Sequence, residues 1–135
     1  KNLDLNLADV QAEIAQEYLG YDGIDKVYTA DQMWNNEYTR GIPYILQNGY
    51  NQKRSGDVLL VLKPGFISYN TTGSTHGSPQ IYDTHAPLLF YGKGIKPGST
   101  IKRTEIPDIA PTISALLGIS YPSGTTGTPI IEVLE

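Results

Sequence analysis

Val58-Leu-Leu-Val-Leu62 is the longest unbroken apolar run in the chain. Five apolar residues without alternation leave no polar side for water, so a strand here needs cover on both faces. Strands of that kind belong to α/β sheets with packed helices. A second run, Leu88-Leu-Phe-Tyr91, repeats the demand and predicts another strand over Pro87–Tyr91. Between the two runs lies Gly73-Ser-Thr-His-Gly-Ser-Pro-Gln-Ile-Tyr-Asp-Thr-His-Ala-Pro-Leu88, which carries both histidines of the chain, His76 and His85. A polar, Gly-rich segment between two buried strands reads as an active-site loop at a strand end, where α/β sheets keep their chemistry.

The remaining patterns fill in around these strands. Leu3, Leu5 and Leu7 alternate with polar residues, which predicts a short strand. From Ala8 to Leu19 the period changes to helical, with Val10, Ile14 and Tyr18 on one face and Gly20 as the stop. A strand is expected over Ile24–Tyr28, a helix over Ala30–Glu37, and another from Pro43 to about Gln47. After the polar loop Asn48–Asp57 comes the apolar run. Lys102 and Arg103 suit an edge strand over Thr100–Thr104. Asp108 is the expected cap of a helix to Leu117, since it leaves Pro111 in the first turn, with Gly118 as the stop. Pro129–Leu134 is a candidate last strand. The expectation is a single α/β domain over residues 1–135.

The totals exclude several roles. A chain of 135 residues can bury a real core. A net charge of −4 without a basic stripe argues against nucleic acid as a partner. No apolar run approaches the ~18 residues of a membrane helix, so membrane insertion is not expected. With no cysteine, any metal here must be held by His and carboxylate. The chain starts at Lys1 and enters patterned structure at once, as expected of a processed product or a piece of a longer protein.

Neutral imidazole is a common metal ligand, and a ligating His usually has a carboxylate or carbonyl behind it. His76, His85 and Asp83 between them could make three ligands. Two loop histidines bonding backbone groups is the other reading, and spacing leaves both open. Asp83 can orient either imidazole or cap a turn. Thr75 can position His76 or satisfy the loop backbone. Lys53 and Arg54 invite a phosphate clamp, but a solvated or structurally paired loop ending at Asp57 before a buried strand is the preferred reading.

Four stretches, taken in order, look like one family: Asn48-Gly-Tyr-Asn-Gln-Lys-Arg-Ser-Gly-Asp57, Gly73-Ser-Thr-His-Gly-Ser78, Tyr82-Asp-Thr-His-Ala-Pro-Leu-Leu-Phe-Tyr-Gly92, and Asp108-Ile-Ala-Pro-Thr112 with Leu116-Leu-Gly118. They resemble the C-terminal part of the alkaline phosphatase superfamily, above all the secreted bacterial phosphatases related to nucleotide pyrophosphatase/phosphodiesterases. The likeness is strongest over residues 48–134. It implies a two-zinc phosphoryl-transfer site in which His76 is one zinc ligand, and an α/β sheet with helices on both faces. It implies phosphate esters as substrates, monoesters rather than diesters, and a periplasmic or secreted location. Thr75, Asp83 and His85 become candidates for the groups supporting the ligand.

The family's nucleophile, its Asp-x-x-x-His and its Asp-His pair have no counterpart here. A zinc site needs about three protein ligands. The chain is therefore expected to be a C-terminal portion supplying one ligand, inactive by itself and exposing an apolar face that a second copy could cover. A sulfatase or phosphomutase parent is the near alternative. A non-catalytic binding module is the alternative of another class.

Overall fold

The Asn6 side chain accepts a hydrogen bond from the Ala8 amide at 3.1 Å and so starts helix α1 (Leu7–Leu19). This cap overrides the alternation expected to make a strand of Leu3–Leu7. Leu5 and Asn6 belong to no element, and Leu3 lies outside the residues described by this computed structural model, 5–68 and 73–134. The described residues fall into two compact units, one up to Ala86 and one from Pro87.

In the first unit α1 tightens at its end through hydrogen bonds from Gly20 to Glu17 and from Tyr21 to Tyr18. Gly20 stays right-handed, at φ −77°. The left-handed position is Gly23, at φ +87°, where a Cβ would meet the Phe66 ring at 2.8 Å. Strand β1 (Ile24–Thr29) then pairs with β2 (Val58–Leu62) in an antiparallel ladder. Ile24 faces Leu62 and Thr29 faces Val58, with an irregularity between Ile24 and Lys26. The Lys63 amide to the Gly23 carbonyl and the Ala30 amide to the Asp57 carbonyl, each 2.8 Å, extend the ladder at its two ends.

Helix α1 packs on β1 and reaches β2. Val61 is buried, as is Met33. Leu60 points to the opposite side of β2 and is 42% exposed. Among the described residues, then, the apolar run receives its expected cover on the Val61 side but not fully on the other.

The two strands are joined through α2 (Ala30–Asn35) and α3 (Gly41–Gly49). Thr29 caps α2: the Gln32 amide donates to its hydroxyl, and the Thr29 amide donates to the Gln32 side chain. The Gln11 side chain, buried, accepts from the Asp31 amide and ties α1 to this turn. Gln47 joins the two helices. Its amide donates to the carbonyls of Met33 and Asn36, and its carbonyl accepts from the Tyr38 amide. Helix α3 begins at Gly41 rather than Pro43, because a proline in the first turn gives up no hydrogen bond.

The second unit is built around α5 (Ile109–Leu117), entered through a 3-10 turn over Ile106–Asp108. Asp108 holds the expected N-cap position of α5, but its side chain makes no capping bond. Its carboxylate turns back to accept from the amides of Glu105 and Thr128, both at 2.8 Å. Thr112, fully buried, donates to the Asp108 carbonyl at 2.6 Å and accepts from the Ile130 amide at 2.9 Å. Gly118 ends α5 at φ +65°.

Two expected strands, Pro87–Tyr91 and Thr100–Thr104, are irregular, and Pro129–Leu134 yields a short helix, α6 (Ile131–Leu134). A strand needs a partner ladder, and none is present for these segments among the described residues. Leu89, Tyr91 and Ile101 stand almost fully exposed. At Ile130 the amide is already engaged by Thr112, and the local Val133-to-Ile130 bond favours a helical turn.

Candidate functional site

The His-bearing segment is anchored to the end of β2. It contains a one-turn helix, α4 (Ile81–Thr84), where the sequence predicts a loop. The Asp83 and Thr84 amides both donate to the Gln80 carbonyl, at 2.9 and 3.0 Å. The Gln80 side-chain amide donates to the Leu62 carbonyl at 2.9 Å. The Gly65 amide donates to the Tyr82 hydroxyl at 3.2 Å. Asp83, thus placed, accepts from the Ser78 amide with Oδ2 at 2.9 Å and meets His76 Nδ1 with Oδ1 at 3.0 Å.

The two members of that pair sit in opposite environments. The Asp83 side chain is 9% exposed and the His76 side chain 95%. The Ser78 amide, then the Ser78 hydroxyl and His76, hold the Asp83 carboxyl below the ordinary carboxylate range. An ionised carboxylate accepts only, so Nδ1 carries the proton. Nε2 faces solvent, with no hydrogen-bond partner among the described residues, and in the neutral ring it is the nitrogen that carries the lone pair.

Asp83 thus pairs with His76 and not with His85. The His85 amide closes the α4 turn on the Ile81 carbonyl, and the residue is exposed. Thr75 donates through its hydroxyl to the His76 carbonyl at 3.2 Å, a backbone contact rather than one to the ring. Lys53 and Arg54 sit in a turn organised by Asn51, which accepts from the Lys53 amide and, through its carbonyl, from the Arg54 and Ser55 amides. That turn precedes β2, whereas Gln80 is tethered after it. The two attachments thus lie at opposite ends of the five-residue strand β2.

Sequence reasoning missed Gln80, Ser78 and Tyr82. Their roles depend on a single helical turn too short to leave a periodic signal.

A ring fixed at Nδ1 by a carboxylate, with Nε2 free, fits one metal ligand. One ligand falls short of a site. No group of three or more His, Cys, Asp or Glu side chains is placed to hold a metal among the described residues.

No family model matches the chain. It is 41% identical over 131 residues to the alkaline phosphatase PafA of Elizabethkingia meningoseptica, covering 96% of this chain and 24% of that protein. The crystal structure of wild-type PafA superposes with a TM-score of 0.87 over 97% of this chain and 25% of that one. The chain's homologues are alkaline phosphatases. Its mixture of helices and a small antiparallel sheet is an α/β segment of the alkaline phosphatase fold.

The alkaline phosphatase PhoV of Synechococcus elongatus is 40% identical over 128 residues, 92% of this chain and 23% of PhoV. A protein named calcium-transporting ATPase, from Myroides odoratus, is 46% identical over 107 residues, 75% of this chain and 20% of its own length. The chain spans about a quarter of the length of these relatives. No helix among the described residues is long and apolar enough to cross a membrane.

Proposed function

We propose that residues 1–135 are the C-terminal portion of a zinc-dependent phosphoric-ester hydrolase, a phosphomonoesterase, in which His76 binds one of two zinc ions through Nε2. The observation that carries this reading is the exposed imidazole locked at Nδ1 by Asp83. Relatives named alkaline phosphatases support the reaction class. The nucleophile and the other ligands come from the rest of the enzyme, so the 135 residues alone are inactive. The substrates are small phosphate esters, and the enzyme is periplasmic or secreted.

Within this reading the chain's own task is to present a neutral imidazole. Asp83 keeps the proton on Nδ1 and turns Nε2 outward. The bound zinc would supply Lewis acidity toward a phosphoryl oxygen.

In the full-length protein, His76→Ala is expected to lose zinc by elemental analysis. It is also expected to lose more activity on p-nitrophenyl phosphate than the roughly 10- to 100-fold that an outer partner is worth. Full zinc content with wild-type turnover would refute the assignment. A higher kcat/KM on bis(p-nitrophenyl) phosphate than on the monoester would make the enzyme a diesterase.

A further inference from the structure

We propose that Gln80 is the positioning residue that holds His76 in place relative to the sheet. The inference rests on His76 being a ligand and assigns the group that fixes where that ligand stands. Asp83 sets the ring, but Asp83 itself rides on α4, a helix of four residues. A single turn has no stability of its own, so its position must come from tertiary contacts. Two are present. One is the Gln80 side-chain amide on the last carbonyl of β2, and the other is the Tyr82 hydroxyl on the Gly65 amide.

Gln80 does more than tether. Its carbonyl accepts from the Asp83 amide, the Thr84 amide and the Thr84 hydroxyl at 2.9, 3.0 and 3.2 Å. Its amide approaches the Ser78 hydroxyl at 3.4 Å. One half-buried residue thus connects the rigid ladder, the turn that carries Asp83, and the Ser78 corner whose amide also binds Asp83. The route from sheet to imidazole is Leu62 carbonyl, Gln80, Asp83, His76 Nδ1. Tyr82 is exposed and holds only the turn after β2, which makes it the weaker tether.

The test is Gln80→Glu in the full-length protein, which keeps the shape but points an acceptor at the Leu62 carbonyl. Gln80→Lys is its companion, restoring an N–H donor of similar reach. Three readouts are taken: zinc affinity, kcat against KM, and hydrogen exchange of the Asp83 and Ser78 amides in the metal-free protein. Gln80→Glu is expected to weaken zinc binding about three- to tenfold, the worth of one hydrogen bond. It is expected to lower kcat with KM little changed and to speed exchange at both amides. Exchange along β2 should stay at wild-type rates, and Gln80→Lys should recover most of the loss.

Unchanged exchange at Asp83 and Ser78 in Gln80→Glu would overturn the positioning role, as would equal acceleration along β2, which marks general loosening. The metal-free exchange readout does not depend on zinc. Failure of the ligand assignment is read separately, as full zinc retention in His76→Ala.

Discussion

Thr112→Val isolates the polar centre of the second unit. Thr112 is fully buried, and its hydroxyl serves two backbone groups, giving a proton to the Asp108 carbonyl and taking one from the Ile130 amide. Valine fits the same space and serves neither. Orphaning the Ile130 amide, on a buried residue, costs about 1–3 kcal/mol. The added methyl returns up to about 0.8 kcal/mol, so a net loss of roughly 0.2–2 kcal/mol is expected in urea unfolding. Thr112→Ser provides the contrast: both bonds remain and one methyl is lost, about 1 kcal/mol. Stability alone barely separates the two variants, whereas hydrogen exchange at the Ile130 amide does. Exchange there should be fast in Thr112→Val and slow in Thr112→Ser. Wild-type protection of Ile130 in Thr112→Val, or a clear gain in stability by that variant, would refute the reasoning.

Two further outcomes follow from the same unit. A Cβ at Gly127 would run into the Pro107 carbonyl and come within 2.6 Å of the Asp108 nitrogen. Backbone cannot yield there as a side chain would, so Gly127→Ala should cost about 1–3 kcal/mol, and an unchanged Tm would contradict the packing. The Lys102 ammonium beside Glu132 holds the Glu132 carboxyl below its ordinary value. The small contribution of that pair is therefore present above the unfolded value of about 4.3 and fades as pH falls through the folded one. Lys102→Gln should raise the Glu132 titration midpoint by NMR, and an unmoved midpoint would count against the pair.

Much of the fold is legible where a pattern is local. The helix from Ala8 and the helix ending at Gly118 are visible as periodicity plus a stop residue, the strand Val58–Leu62 as an unbroken apolar run, and all three form. The strands expected from Pro87 and Thr100 show the limit of that reasoning. Apolar runs such as Leu88–Tyr91 state that cover is needed, yet a strand exists only when another chain segment supplies the ladder. The antiparallel hand of β1 and β2 was equally invisible, because register depends on two segments together. At the candidate site, the residues most prominent in the sequence were the two histidines. Which of them Asp83 would face was decided by α4, a turn set by hydrogen bonds to Gln80 rather than by hydrophobic spacing. Asp108 is a similar case: its position looked like a helix cap, and its carboxylate instead closes a contact to Thr128, twenty residues away.

The pairing of β1 with β2 also bears on how the chain folds. Thr29 and Val58 become neighbours only when residues 30–57 close into a loop. For 28 flexible residues the length-dependent part of that closure costs about 3 kcal/mol, before any ladder bond repays it. The intervening segment is far from flexible once α2 and α3 are joined by Gln47, whose three bonds bring residues 33, 36 and 38 to one point. These contacts are short in sequence and can form early. An insert held together by Gln47 shortens the effective loop between Thr29 and Val58, so the segment that separates the strands in sequence also lowers the cost of closing them.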